Sequence, residues 1–153
     1  MTDDLKQFLF KANTRGFGSS EINEEKLPNG EKIIHFRDGD FEFKDTYYGG
    51  EPYSGQEVIF ANDRVVWAMQ YRGEIFGDEN FAPIYQFLGK VLTGTKVGLP
   101  RGIDGTRDGE FSYHFAMDGD LENFSAHEEI FRENKLVYTA KFLGGLVDLR
   151  REE

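Results

Sequence analysis

Glu57 and Glu128 are the residues whose type and setting most suggest chemistry. Each stands in a run of strand-forming residues beside an aromatic-rich hairpin, although glutamate is depleted in strands. A carboxylate placed twice in that setting points to a use for its charge. In the wall of a pocket beside Tyr48, Trp67 or Tyr71 it can orient a small or cationic ligand. The structural alternative is a strand glutamate paired with Arg64 or Lys135, or turned to solvent. Because Glu128 and Tyr138 align with Glu57 and Trp67, the candidate ligand-binding set is Tyr48, Glu57, Trp67, Tyr71, Glu128 and Tyr138.

Other chemistries find weaker support. His35, His114 and His127 lack metal-ligand spacing: His127-Glu128-Glu129 begins like a zinc motif, but Phe131 stands where the second histidine would fall. The serines lie outside any G-x-S-x-G elbow. The glycine-rich pieces at 15–18 and 102–109 match neither a phosphate-binding loop nor a dinucleotide fingerprint. The acidic pairs Asp38/Asp40, Asp104/Asp108 and Asp118/Asp120 fall at turns, where such residues cap their own backbone, and the calcium-loop pattern is absent. The chain has no cysteine, which removes disulfides, thiolate nucleophiles and cysteine-based zinc sites. No catalytic residue, metal or cofactor is therefore expected. An enzyme would need a cleft with a carboxylate of raised pKa.

The elements that position the glutamates follow from an internal repeat. SGQEVIFANDRVVWAMQYRG, from Ser54, aligns without a gap with SAHEEIFRENKLVYTAKFLG, from Ser125. Glu57 meets Glu128, Ile59 meets Ile130, Trp67 meets Tyr138 and Tyr71 meets Phe142. A helix is predicted from Asp3 or Asp4 to about Asn13, with Leu5, Phe8, Leu9 and Ala12 on one face. A second runs from Phe81 to Leu92, with Pro83 tolerated in its first turn. Gln7-Phe8-Leu9-Phe10-Lys11 in the first resembles Gln86-Phe87-Leu88-Gly89-Lys90 in the second. Strands are predicted at 32–36, 41–48, 56–60 and 65–71, with turns at 37–40 and 61–64. In the second half they fall at 110–117, around 121–124, and on the hairpin 128–142, with a turn at Asp118-Gly119-Asp120 and a loop from 93 to 108. The helix is expected to break over 14–20, and Pro28-Asn29-Gly30 signals a turn.

This pattern predicts an α+β fold: a tandem duplication of a helix-plus-four-antiparallel-strand unit, with repeats at roughly 3–76 and 81–147, sharing one core in a single domain. Alternation puts Val65, Trp67, Met69 and Tyr71 on the core face, with Leu136, Tyr138, Ala140 and Phe142 in the copy. Phe41, Phe43, Phe111, Tyr113 and Phe115 join them.

Bulk properties narrow the function classes. The 153 residues carry a formal net charge of -10, with 15 Phe and 7 Tyr. That balance disfavours direct nucleic-acid binding, which needs Lys and Arg to release counterions, and docking on anionic membranes. No apolar run approaches the roughly 20 residues of a membrane helix, and no secretory signal is read at the start. A cytoplasmic protein, monomeric or homodimeric, is expected.

The run Asp45-Thr-Tyr-Tyr-Gly-Gly-Glu-Pro-Tyr-Ser-Gly-Gln-Glu-Val58, continuing through Val66-Trp67-Ala-Met-Gln-Tyr71-Arg-Gly73, resembles a prokaryotic family designated domain of unknown function 5680. Glu128-Glu-Ile-Phe131, Val137-Tyr138 and Leu143-Gly-Gly-Leu146 resemble the family's C-terminal half. Members occur alone or behind a helix-turn-helix DNA-binding domain, which implies a sensing or ligand-binding module; the resemblance supplies no catalytic residues. Two roles are expected: a non-enzymatic ligand-binding or sensor-like domain for an unknown small molecule, or a protein–protein interaction module using an aromatic sheet face or edge strand.

Overall fold

The structure, a computed structural model, describes residues 1–16 and 23–150. Helix α1 spans Asp3–Gly16 and is followed by β1 (Asn23–Lys26), β2 (Lys32–Asp38), β3 (Phe41–Tyr48), β4 (Tyr53–Ala61) and β5 (Arg64–Ile75). Helix α2 (Phe81–Thr93) leads into β6 (Arg107–Asp108), β7 (Phe111–Asp120), β8 (Asn123–Arg132) and β9 (Lys135–Leu146). The fold is α+β. Among the described residues nine strands form one antiparallel sheet, in the order β1-β2-β3-β4-β5-β9-β8-β7-β6. The two hairpin ribbons thus meet through β5 and β9, with Tyr71 opposite Phe142 and with Trp67↔Leu146 and Ile75↔Tyr138 flanking that pair.

Local chemistry sets the element ends. Asn80 caps α2, its side-chain oxygen accepting from Ala82 N, and Pro83 falls in the first turn, where its missing N–H costs nothing. Asn62 and Asp63 both adopt positive φ (50° and 63°) between β4 and β5, the two-residue turn that matches strand twist. Leu27 N donates to Glu31 O and Gly30 N to Leu27 O, closing the expected turn near Pro28.

Three strand expectations need correction. β1 was not expected, and β6 falls at the end of the loop expected from 93 to 108; both are short and polar, so hydrophobic alternation gives no sign of them. The piece at 121–124 and the strand from 128 are one strand, β8. The turn expected at Asp118-Gly119-Asp120 lies instead at Leu121-Glu122, where Asp120 Oδ1 accepts from Glu122 N at 2.9 Å. The helices run slightly past their predicted ends, and the expected break at 14–20 lies partly outside the described residues.

One face of the sheet is buried, and both helices cover it. Phe8 of α1 stacks on Phe36 and Phe41, and Phe87 of α2 on Phe111 at 5.3 Å between centroids. Phe43, Ile59, Trp67, Met69, Tyr113, Ile130 and Tyr138 form the floor and are fully or almost fully buried. Val137, expected on the outer face, is buried too. It is the extra residue of a bulge, since Ile130 pairs with Tyr138 but Phe131 with Leu136. The corresponding bulge in the first ribbon leaves Val66 as the extra residue. Among the described residues no helix is long and apolar enough to cross a membrane.

Truncating Phe43 to Ala is expected to lower unfolding free energy by about 3–5 kcal/mol. Phe111→Ala should lower it by less, because Phe111 is only half-buried against Phe87. Urea denaturation compares the two; equal losses would contradict this assignment of the core.

Candidate functional site

A cavity of about 580 Å³ lies between α2 and the buried sheet face. Tyr85, Leu88, Gly89 and Leu92 face it from α2; Ile34, Asp45, Tyr47 and Tyr71 face it from β2, β3 and β5; Tyr53 and Arg101 complete the inner wall, and Glu24 and Lys32 also line it. Its apolar body and few polar groups fit the usual make-up of a small-molecule site.

The inner wall rests on a buried ion pair. Arg101, 5% exposed, follows α2 in a loop and forks onto Glu128, with Nε donating to Oε2 at 3.0 Å and Nη2 to Oε1 at 2.5 Å. Tyr113 donates to the same carboxylate at 2.6 Å and Tyr138 at 2.9 Å. Glu128 therefore accepts four hydrogen bonds and meets the demand that a buried charge be paired and fully solvated by protein. Burial alone would push the Arg101 guanidinium down; the facing Glu128 carboxylate outweighs it and holds the group well above its ordinary value. Gly102 makes the approach possible, since a Cβ there would lie 2.2 Å from Val91 Cγ1 and 3.0 Å from the Tyr113 ring. Asn13 of α1 steadies the loop by donating to Pro100 O at 3.1 Å.

Glu57 presents the opposite case. It is fully buried at the matching place in the first ribbon, yet neither carboxylate oxygen has a hydrogen-bond partner among the described residues. The sequence explains the contrast. Opposite Ile59 the first ribbon has Phe43 and Trp67, where the second has Tyr113 and Tyr138 opposite Ile130. Phe43 carries no hydroxyl, and the Trp67 Nε1–H donates to Leu121 O at 2.9 Å. Burial, then the nearby Asp45 carboxylate, push Glu57 up to about 8.

Asp45 is the cross-strand partner of Glu57 and stands on the cavity wall. Tyr71 donates to its Oδ1 at 2.5 Å. Burial raises its carboxyl to about 6, against the opposing pull of the Tyr71 hydrogen bond and the Arg101 charge. The tyrosines around it are raised as well, chiefly by burial: Tyr53 to about 12, with Tyr71 and Tyr85 pushed up in the same direction. Tyr53 hydrogen-bonds Tyr138, and Tyr85 donates to Glu51. Asp45 is thus a carboxyl of raised pKa on a cavity wall, the feature an enzyme would need, and the same group can anchor the polar end of a small molecule. The three histidines are on exposed parts of other surfaces, and among the described residues no group of three or more His, Asp or Glu is arranged to hold a metal ion.

Of the residues expected at a site, Tyr71 lines the cavity, while Glu57, Glu128 and Tyr138 lie in the buried cluster behind it. Trp67 is fully buried away from the cavity, against Phe124. Tyr48 is 50% exposed and does not reach it; it ends β3 with its side chain opposite in direction to Tyr47. Sequence reasoning missed Asp45, Tyr53, Tyr85 and Arg101. Asp45 had a legible signal, as it continues the alternation Phe41, Phe43 onto the core face. Arg101 had none, being a loop residue whose partner is distant in the chain.

Two variants test this electrostatic account. Arg101→Met leaves Glu128 buried without its cation and is expected to destabilise by about 3–5 kcal/mol; Arg101→Lys keeps the charge without the fork and should recover only part. Stability equal to that of the parent in Arg101→Met would refute the pairing. Glu57 gives a pH signature. Its folded carboxyl keeps a proton that the unfolded chain releases above the ordinary glutamate value of 4.5, so stability falls as pH rises from there to about 8. Glu57→Gln should flatten this decline between about pH 5 and about pH 8 in denaturation curves; an unchanged slope would contradict it.

Neither curated proteins nor solved structures give a match to this chain. A family model does match, over residues 45–147, a span that contains Asp45, Glu57, Arg101 and Glu128. The chain belongs to the family described as Domain of unknown function (DUF5680).

Proposed function

We propose that this protein is a non-enzymatic, sensor-like domain, soluble and cytoplasmic, that binds a small molecule in the cavity beneath α2. The observation that carries this reading is the cavity itself: about 580 Å³, with Asp45 and Arg101 in its wall and apolar α2 side chains opposite. Gly89 adds weight. Glycine in a helix interior is destabilising by about 1 kcal/mol relative to alanine, yet it stands in α2 where the helix faces the cavity. At the aligned place α1 carries Phe10. The small residue keeps space open that a side chain would fill.

We also read the two halves as descendants of one duplicated unit. What supports this is that pairings exchange when each residue is replaced by its counterpart. Trp67↔Leu146 becomes Tyr138↔Ile75, and Tyr71↔Phe142 maps onto itself. The bond from Phe76 N to Val137 O has its counterpart in that from Val147 N to Val66 O. In this reading one copy kept the satisfied carboxylate, Glu128, while the other kept the cavity-facing Asp45 beside Glu57.

A protein-interaction role would use a sheet edge or an exposed sheet face. The edge strands β1 and β6 are short, and on the outer face of β5 and β9 the exposed Leu143 stands among Gln70, Arg72 and Lys141. The small-ligand reading therefore takes precedence.

Gly89→Leu tests it. The longer side chain grows into the cavity while helix propensity improves, so stability should hold or rise by up to about 1 kcal/mol. Nile red fluorescence should increase with the parent chain and fail to increase with the variant. An equal increase in both would place the dye elsewhere and remove the basis for the cavity as a binding site.

A further inference from the structure

We propose that the cavity is built for an organic ammonium ion, an amine carried on an apolar or aromatic body, with its nitrogen against Asp45. The inference rests on the ligand-binding reading above and assigns the chemical class of the ligand.

The argument begins with charge. Among the described residues three carboxyl groups, Asp45, Glu57 and Glu128, are buried in one cluster with one buried cation, Arg101. The guanidinium is committed to Glu128 by a two-pronged contact, and its face lies over the Phe142 ring at 4.8 Å. Its charge balances that of Glu128. Among the described residues Asp45 and Glu57 have no cation of their own, and they face one another across β3 and β4. Asp45 receives one hydrogen bond, from Tyr71, at Oδ1, and Glu57 receives none from the described residues. Of the two cations that line the cavity among the described residues, Lys32 is held at the rim, donating to Gly49 O at 2.9 Å and lying 5.3 Å from the Tyr47 ring centre. Glu24, also on the cavity wall, accepts from Tyr47.

Shape and ring chemistry agree with the charge. Tyr53, Tyr71 and Tyr85 crowd the same chamber, Tyr53 within 5.8 Å of Tyr71 and 6.2 Å of Tyr85 between ring centres. Aromatic faces beside a carboxylate are the environment in which a desolvated ammonium is favoured, and a charge-assisted hydrogen bond to Asp45 would fix its direction. Ile34, Leu88 and Leu92 supply an apolar wall for the rest of the molecule. An anionic ligand would meet Arg101 already neutralised and would add to the surplus of negative charge.

Three probes of nearly equal shape separate the alternatives on the unaltered chain: benzylammonium, benzyl alcohol and benzoate, titrated calorimetrically at neutral pH. Benzylammonium is expected to bind at least about tenfold more tightly than benzyl alcohol, the size of effect a hydrogen bond to a charged group gives. Asp45→Asn should reduce that preference to about one, and circular dichroism establishes that the variant is folded. The comparison of the three probes stands even if it is not. Tighter binding of benzoate would overturn the proposal in favour of an anion site at Arg101. Equal binding of all three, or binding of none, would overturn it as well. If either of those occurred while Nile red still distinguished the parent from Gly89→Leu, the binding site would stand and only its ligand class would fall.

Discussion

Burial of more negative than positive charge under α2 is the constraint on which the rest of the structure depends. A carboxylate taken out of water needs a cation, several donors or a proton. Glu128 has the first two, from Arg101, Tyr113 and Tyr138. Glu57 has neither among the described residues and is pushed toward its protonated form. Asp45 lies between these extremes, on the wall of the chamber beneath α2. Such a cluster is a poor way to gain stability, because well-packed apolar residues of the same volume generally do as well or better. It stands against a cavity rather than in the solid part of the core around Trp67 and Ile59, and the proposed binding role would give that loss of stability a use.

The fold makes the cluster possible by joining two ribbons edge to edge. Pairing of β5 with β9 brings Tyr71 opposite Phe142 and sets the inward faces of both ribbons on one surface. Glu57 and Glu128 then project from the same side of the sheet, with Arg101 reaching Glu128 from the loop after α2. The helices divide the work. α1 closes the β2–β3 end with tightly stacked phenylalanines. α2 closes the other side with Ile84, Phe87 and Val91 in the core and leaves a gap at Gly89.

Much of this was legible in the sequence, and the reasons for the exceptions are physical. Long alternating strands announce themselves, so β3, β4, β5 and β9 and their core faces follow from Phe43, Trp67, Met69 and Tyr138. The aligned glutamates both lie in the interior, neither in the cavity wall nor at the surface. What the sequence could not supply was the difference in their surroundings, which depends on residues one strand away: Phe43 for one, Tyr113 for the other. β1 and β6 escaped notice because pairing of backbone groups needs no apolar side chain. β8 was divided because the turn signal at Asp118-Gly119-Asp120 displaced its start and Ser125-Ala126-His127 shows no strand-forming pattern, whereas backbone pairing carries the strand through. Arg101, the cation on which the wall depends, lies in a loop and acquires its meaning only when β8 folds beneath it. Tyr48 and Trp67 show the converse. Both are aromatic and near Glu57 in the chain, but one is turned to solvent and the other is enclosed by the core.

The most direct test is the titration of the glutamate carboxyl carbons by nuclear magnetic resonance in the ligand-free protein. Glu57 should keep its proton well above the ordinary glutamate value of 4.5 and release it near about 8. A Glu57 carboxyl that titrates at its ordinary value would show that the interior holds no unbalanced carboxylate, and the account of the cavity would fail with it.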